Sequence, residues 1–353
     1  MDKYEMHPVG ASQYSVLNQY QKCPVAIMQV ITRRLILRFL VLVLLLFTVP
    51  INFGWARSTF QTTDGQGPDK WASVWLIRTF INPLPVSLVE NPTAVSGVTT
   101  FDMPGASYNR TGTATTYSAL MQSYNISDQI AVKLGDIIHD IEINAWNPNQ
   151  EVYSQLVETA FRQMQLDIGR NKVTQSCYFE FFNRVASGLA AQTLSIDTGI
   201  QTLQPRKGCS TVVSREKKSM EDSAKVPEMD LSEVLQAIAR REEIVFLDTR
   251  ERREYREGHI PGAINMTLRS LDSDSAQLFS RADRVIAYCV KDFRGYEAAR
   301  KLRILGVDAV IMKPYGIKGW HTAGLPVAGA MAMTEYEAME QLLRIAVKKS
   351  SVQ

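Results

Sequence analysis

The sequence predicts an α/β fold: an α/β C-terminal domain, preceded by a mixed, helix-rich α+β domain and an N-terminal signal or transmembrane helix. Three observations predict it. Two short apolar runs, Ile244 to Asp248 and Val285 to Tyr288, read as buried strands, and the second passes through a tight loop into a helix from Tyr296 to Leu305. Upstream, Ile130, Leu134, Ile137, Ile138 and Ile141 fall at offsets 0, 4, 7, 8 and 11, one apolar stripe at the helical period. Nearer the start, no charge interrupts the stretch from Phe39 to Ala56.

Residues 1–56 read as a tail plus a signal peptide or membrane anchor, its apolar part at 39–56. Arg33, Arg34 and Arg38 flank it on the N-terminal side. At about 1.5 Å per residue the apolar segment reaches roughly 27 Å, a little short of a bilayer core. Gly54-x-Ala56 is a small-x-small cleavage site, and with the basic flank and Pro50 it has the form of a secretory signal. Two readings stay open: cleavage after Ala56, with a leader of ordinary length if translation starts at Met28 rather than Met1, or an uncleaved anchor. In both, the arginines stay cytoplasmic and the rest crosses the membrane. The expected location is therefore exported, periplasmic or inner-membrane-anchored, with the C-terminal domains facing the periplasm.

Four cysteines in 353 residues do not make a disulfide scaffold. Cys23 precedes the apolar segment. Cys177 and Cys209 can pair in an oxidising compartment, which leaves Cys289 as the free thiol. The net charge of +3 has much of its excess around the apolar segment, so there is no nucleic-acid footprint. No Gly-rich phosphate loop or paired-cysteine zinc spacing is present, and no cofactor is expected.

Residues 57–202 are long enough for a domain with its own core. Lys70 to Pro83 is an aromatic, strand-like run, Phe101-Asp102-Met103-Pro104-Gly105-Ala106 a turn, and Asp136 to Glu142 part of the striped helix. Val152, Leu156, Phe161, Met164 and Ile168 mark a second helical face, and Cys177 to Leu194 an aromatic-rich third helix. The Trp-Leu-Ile-Arg and Phe-Asp-Met-Pro-Gly segments resemble the chromate-resistance exported-protein family, over residues 69 to about 200. That domain is also found at the C-terminal side of chromate-resistance regulators. Asp136, His139 and Asp140 lie off the apolar stripe, three or four residues apart, and as ligands would share a metal or oxyanion-linked site. Such a trio is more often a solvated polar face, so the metal stays unknown. Where relatives follow Pro-Gly with acidic, histidine and cysteine side chains, this chain has Ser107, Arg110, Thr115 and Ser118. Arg78 and Arg110 are instead cationic donors suited to a tetrahedral dianion such as chromate.

Residues 203–227 mix charge, serine and proline without periodicity and read as a linker. Beyond it, the loop Cys289-Val290-Lys291-Asp292-Phe293-Arg294-Gly295 carries the most chemistry. Loop amides and the N-terminal end of the following helix favour the nucleophilic thiolate, as do Lys291 and Arg294, whereas Asp292 opposes it. Upstream lie Asp248-Thr249-Arg250 and Gly258-His259-Ile260-Pro261-Gly262-Ala263, and downstream Gly319-Trp320-His321-Thr322-Ala323-Gly324-Leu325-Pro326.

In that order these segments resemble the rhodanese family of sulfurtransferases over residues 228–328. The resemblance implies a three-layer α/β/α domain with a parallel five-stranded sheet and a persulfide on Cys289. Related phosphatases use Cys-x5-Arg; here the spacing is Cys-x4-Arg, which suits sulfur. Bulky Val290 and Phe293 and acidic Asp292 depart from the small, polar loops usual in the family, and make thiosulfate a poor donor. The resemblance gives His259 the organisation of a turn, and Asp248 with Arg250 reads as an internal ion pair rather than an acid–base pair. Residues 329–353 contain an amphipathic helix marked by Tyr336, Met339, Leu342, Leu343 and Ala346, which packs back on a domain or docks a partner.

Two functions remain at this point. One is an exported, chromate-resistance-associated sulfurtransferase, with a sulfane-sulfur donor and a thiol acceptor as partners, the membrane engaged through the N-terminal segment, and reduction of bound chromate as an extension. The other is a non-enzymatic oxyanion or metal sensor with a scaffolding rhodanese module.

Overall fold

Gly67-Pro68-Asp69 starts the first helix among the described residues. The computed structural model describes residues 59–90, 97–144, 151–195, 199–205 and 225–350. The apolar segment 39–56, both start methionines, Cys23, Cys209 and most of the expected linker lie outside them. Among the described residues, no helix is long and apolar enough to cross a membrane.

The first half holds a small parallel sheet, ordered β2-β1-β3, of β1 (Thr59–Thr62), β2 (Ser87–Leu88) and β3 (Val98–Thr100). Its helices are α1 (Pro68–Leu76), α2 (Thr116–Ser123), α3 (Gln129–Glu142), α4 (Ser154–Ile168), α5 (Gln175–Ala191) and the short α6 (Gly199–Leu203). The strand expected over Lys70 to Pro83 is instead α1, continued by a π-helical turn over Ile77–Ile81. Two features favour helix there: a proline at the first helical position and an acid in the first turn. Burial on all sides then overrides the strand preference of Trp and Val. Trp71 stacks on Tyr178 with ring centroids 4.3 Å apart, and the indole of Trp75 donates to Asn183. The helix stops at Asn82, before Pro83, as the steric restriction ahead of proline requires.

The expected stripe forms the inner face of α3: Leu134, Ile137 and Ile138 are fully buried. In α4, Leu156, Phe161 and Met164 face the same core, while Val152 lies before the helix and is exposed.

The second half is a five-stranded, all-parallel sheet in the order β4-β8-β7-β5-β6, made from β4 (Glu228–Asp230), β5 (Ile244–Asp248), β6 (Ile264–Asn265), β7 (Arg284–Tyr288) and β8 (Ala309–Lys313). Two hydrophobic clusters line it, one around Phe246, Ile286, Trp320 and Leu342, the other around Leu247, Val285, Phe279 and Leu302. Alternate residues of β5 and β7 thus enter different layers, as strand geometry demands. The helices are α7 (Leu231–Ala239), α8 (Arg252–Glu257), α9 (Ser273–Ala276), α10 (Phe293–Ile304), α11 (Gly316–Thr322) and α12 (Glu335–Ser350). The C-terminal helix α12 packs back on the domain: Leu342 and Ala346 are buried in the same cluster as Val234 and Leu235 of α7, whereas Tyr336 and Leu343 face solvent.

Candidate functional site: the Cys289 loop

Strand β7 carries Tyr288 to its C-terminal end, and the chain then loops through Cys289 to Asp292 before α10 begins at Phe293. The ends of central parallel strands are where open α/β sheets place their sites. The loop is held from beneath by its own carbonyls: Cys289 O accepts from Ile317 N at 2.9 Å and Val290 O from Lys318 N at 3.0 Å. Gly316, at φ +64°, makes that approach possible. A Cβ there would stand 2.6 Å from Cys289 O and overlap the carbonyl oxygens of Val290 and Lys291 as well.

Cys289 is 3% exposed and is the free cysteine among the described residues. Cys177 is disulfide-bonded; Cys209, its expected partner, lies outside the described residues. The expected stabilisation of the Cys289 thiolate is overturned. Burial pushes the thiol up from its ordinary value, Arg294 and the Gly295 N–H only partly offset this, and Asp292 and Glu142 add to the rise.

The side chains of Lys291, Asp292 and Phe293 reach into the helix-rich half. Lys291 pairs with Glu158 of α4. Asp292 pairs with both Arg162 of α4 and Arg170 just beyond it. Phe293 belongs to the core of the helix-rich half, its ring 5.6 Å from that of Phe161 and edge-on to it, with the Arg162 guanidinium 4.6 Å from its face. Lys291 therefore does not face the sulfur as a stabilising cation, and the acid and bulk that set this loop apart are contacts to the other domain. Val290 is buried, as are Cys289 and Asp292.

Arg294 turns back toward Glu254, with Nη1 and Nη2 donating to its two oxygens at 3.1 and 3.3 Å. Glu254 also caps α8 through the Glu251 N–H at 2.9 Å. Burial would raise the Glu254 carboxyl, but Arg294 and Arg110 outweigh it and bring it down to about 2. Glu142, at the end of α3, takes Arg110 Nη1 at 2.6 Å and lies 3.9 Å from Arg294 Nε. Arg110 Nε, in turn, is 4.0 Å from Glu251. A buried chain of alternating charge thus runs from one domain to the other beside Cys289. Gly295 packs against β7, where a Cβ would lie 2.9 Å from Tyr288 Cα.

Asp248 and Arg250 form a buried pair, Nε to Oδ1 at 3.0 Å and Nη2 to Oδ2 at 2.6 Å, and Arg250 also donates to Gly258 O. His259 is tied at both nitrogens, Nδ1 to Tyr255 O at 2.8 Å and Nε2 to Glu335 at 2.9 Å, and its ring stacks on Tyr255. This joins the Gly-His-Ile-Pro-Gly turn to α12.

The oxyanion and metal set expected in the middle domain does not assemble. Arg78 lies over the ring of Phe179, at 3.9 Å, whereas Arg110 is engaged by Glu142. Asp136 is exposed. His139 contacts Thr113 O and Asn144, and the Asp140 carboxylate accepts from Glu151 N and from Ser154 Oγ at 3.1 Å, bracing the start of α4. Among the described residues, no group of three His, Cys, Asp or Glu side chains is placed to hold a metal ion. Thr115 caps α2 through Ser118 N, which accounts for two of the polar residues after Pro-Gly.

The interdomain partners Glu142, Glu158, Arg162 and Arg170, and Glu254 beside Arg294, were not among the expected site residues. The i,i+4 spacing of Glu158 and Arg162 was visible, but it signals only a helix-surface pair; nothing local indicates that a loop 130 residues on will sit across it.

Comparison with known proteins follows the same division. Residues 60–187 match the family described as ChrB, C-terminal domain, and residues 230–323 the rhodanese-like domain. A Bacillus subtilis protein named as a sulfur carrier, YrkF, is 29% identical over 102 residues, 29% of this chain and 55% of that protein. A Mycobacterium tuberculosis protein named as an HTH-type transcriptional regulator is 36% identical over 87 residues, 24% of this chain and 38% of its own length. A sulfurtransferase of Allochromatium vinosum is 28% identical over 102 residues, 29% of this chain and 94% of that protein. The chain thus spans about half the length of the first of these relatives and less of the second. It is a fusion of a ChrB C-terminal domain with a rhodanese-like domain.

Proposed function

We propose that this chain is a rhodanese-type sulfurtransferase associated with chromate resistance, working through a persulfide on Cys289. The observation that carries the reading is the placement of a free cysteine just past the C-terminal end of a central parallel strand, with Arg294 and the Gly295 N–H beside it partly offsetting the burial that opposes its ionised form. In the reaction, the Cys289 thiolate attacks the outer sulfur of a sulfane-sulfur donor. A Cys289 S–S bond forms, the donor's own S–S bond breaks, and the donor leaves with the electron pair. A thiolate acceptor then attacks the outer sulfur of the persulfide, and Cys289 departs as thiolate. Charge development on the departing anion falls to Arg294 and the loop amides, since Lys291 is engaged elsewhere.

Single-turnover sulfur transfer tests this. The chain is loaded from polysulfide, freed of excess donor and mixed with a dithiol; one equivalent of sulfide is expected from the wild type and none from Cys289→Ser. Equal release from both would overturn the reading. Residues 39–56 are proposed to direct export, and a reporter fused after Ala56 is expected in the periplasm; a reporter retained in the cytoplasm contradicts that.

A scaffolding rhodanese module is the second reading, and the burial of Cys289 favours it. It expects no sulfur on Cys289 from any donor.

A further inference from the structure

The geometry points to a latch: α4 of the ChrB domain holds the Cys289 loop shut, and sulfur exchange requires that the loop let go of Glu158, Arg162, Arg170 and Phe161. The inference rests on Cys289 being the sulfur carrier and adds how access to it is controlled. Three consecutive loop residues each have a partner of matching chemistry across the interface: Lys291 an acid, Asp292 two guanidinium groups, Phe293 an aromatic ring. Arg170 also lies over the ring of Tyr296, at 4.4 Å, one turn into α10. Glu158, Phe161 and Arg162 are spaced at i, i+3 and i+4, so one face of α4 supplies most of the grip. The result is a thiol 3% exposed, with its ionisation disfavoured by the same enclosure.

A second set of contacts ties the domains together away from the loop. Glu297 accepts from Gln66 N at 2.9 Å, and Arg269 donates to Arg110 O at 3.3 Å. Release of the loop can therefore be local, leaving the two domains joined.

The test is the rate at which a small alkylating reagent labels Cys289 in the full chain, followed by mass spectrometry of its peptide. Arg162→Ala with Arg170→Ala is expected to label at least tenfold faster than wild type. Glu158→Lys is expected to accelerate labelling several-fold, and adding Lys291→Glu to it to return the rate toward wild type, because the pair is restored with its charges exchanged. Folded variants that label at the wild-type rate overturn the latch. The wild type supplies an arm that no folding defect can spoil: across sub-denaturing urea, Cys289 is expected to label through an opening that precedes global unfolding, and labelling that follows global unfolding alone overturns the proposal. Polysulfide in place of the alkylator separates this from the enzyme reading. Faster alkylation with no sulfur gained leaves the latch and removes the sulfurtransferase; sulfur gained equally fast by wild type and variants does the reverse.

Discussion

Asp292 is charged although it is buried, because Arg170 and Arg162 outweigh the burial that would otherwise raise its carboxyl. Removing one partner of such a group leaves charge without compensation, at roughly 3 to 5 kcal/mol. Arg170→Ala is therefore expected to lose about 2 to 4 kcal/mol in urea unfolding, at the low end because Arg162 remains. Two glutamates on the rhodanese side set opposite pH windows. Glu254, held down to about 2, contributes stability that is present above its unfolded value and is lost as pH falls from about 4.5 toward 2. Glu297 is raised to about 7 by burial, with Asp102 and Asp64 adding to the rise and Lys70 and the Gln66 N–H opposing it. Its favourable contribution is complete below about 4.5 and lost as pH rises through 7. Glu297→Gln is expected to raise stability at pH 8 by roughly 2 kcal/mol and to make no difference near pH 4. A variant no more stable than wild type at pH 8 contradicts that assignment.

At the scale of elements, the parallel strands and the helical stripes were legible because their signal is local. Ile244 to Asp248 and Val285 to Tyr288 are continuous apolar runs, and the stripe of α3 repeats at the helical period. The run from Trp71 was misread because aromatic and β-branched residues suit a strand, whereas a helix buried on every side carries the same composition. The Cys289 loop was found from its spacing, but not what its side chains do: Asp292 and Phe293 looked like departures from a sulfur-binding loop because their partners, on α4 and just beyond it, lie far away in sequence. One element contact can be checked directly. Gly316→Ala would set a methyl group against three loop carbonyls, in a backbone conformation that disfavours it. It is expected to cost at least about 3 kcal/mol or to displace the loop, and denaturant unfolding together with Cys289 labelling distinguishes the two.

At the scale of the whole molecule, the fusion has a physical rationale. A rhodanese-like domain with this loop alone would expose Lys291, Asp292 and Phe293 to water, and the ChrB domain gives each a partner. Acidity and bulk in the loop thus serve the interface between domains, and Cys289 is enclosed beside it. Ionisation follows the enclosure: labelling of wild-type Cys289 is expected to keep rising with pH beyond the range where an ordinary thiol levels off, since burial raises the thiol above its ordinary value. The central claim remains that this enclosed cysteine carries sulfur. Its most direct test is the intact mass of the full chain after polysulfide, with Cys289→Ser alongside. The expected result is a gain of one sulfur atom in the wild type that Cys289→Ser lacks; no gain in the wild type, or the same gain in both, would contradict it.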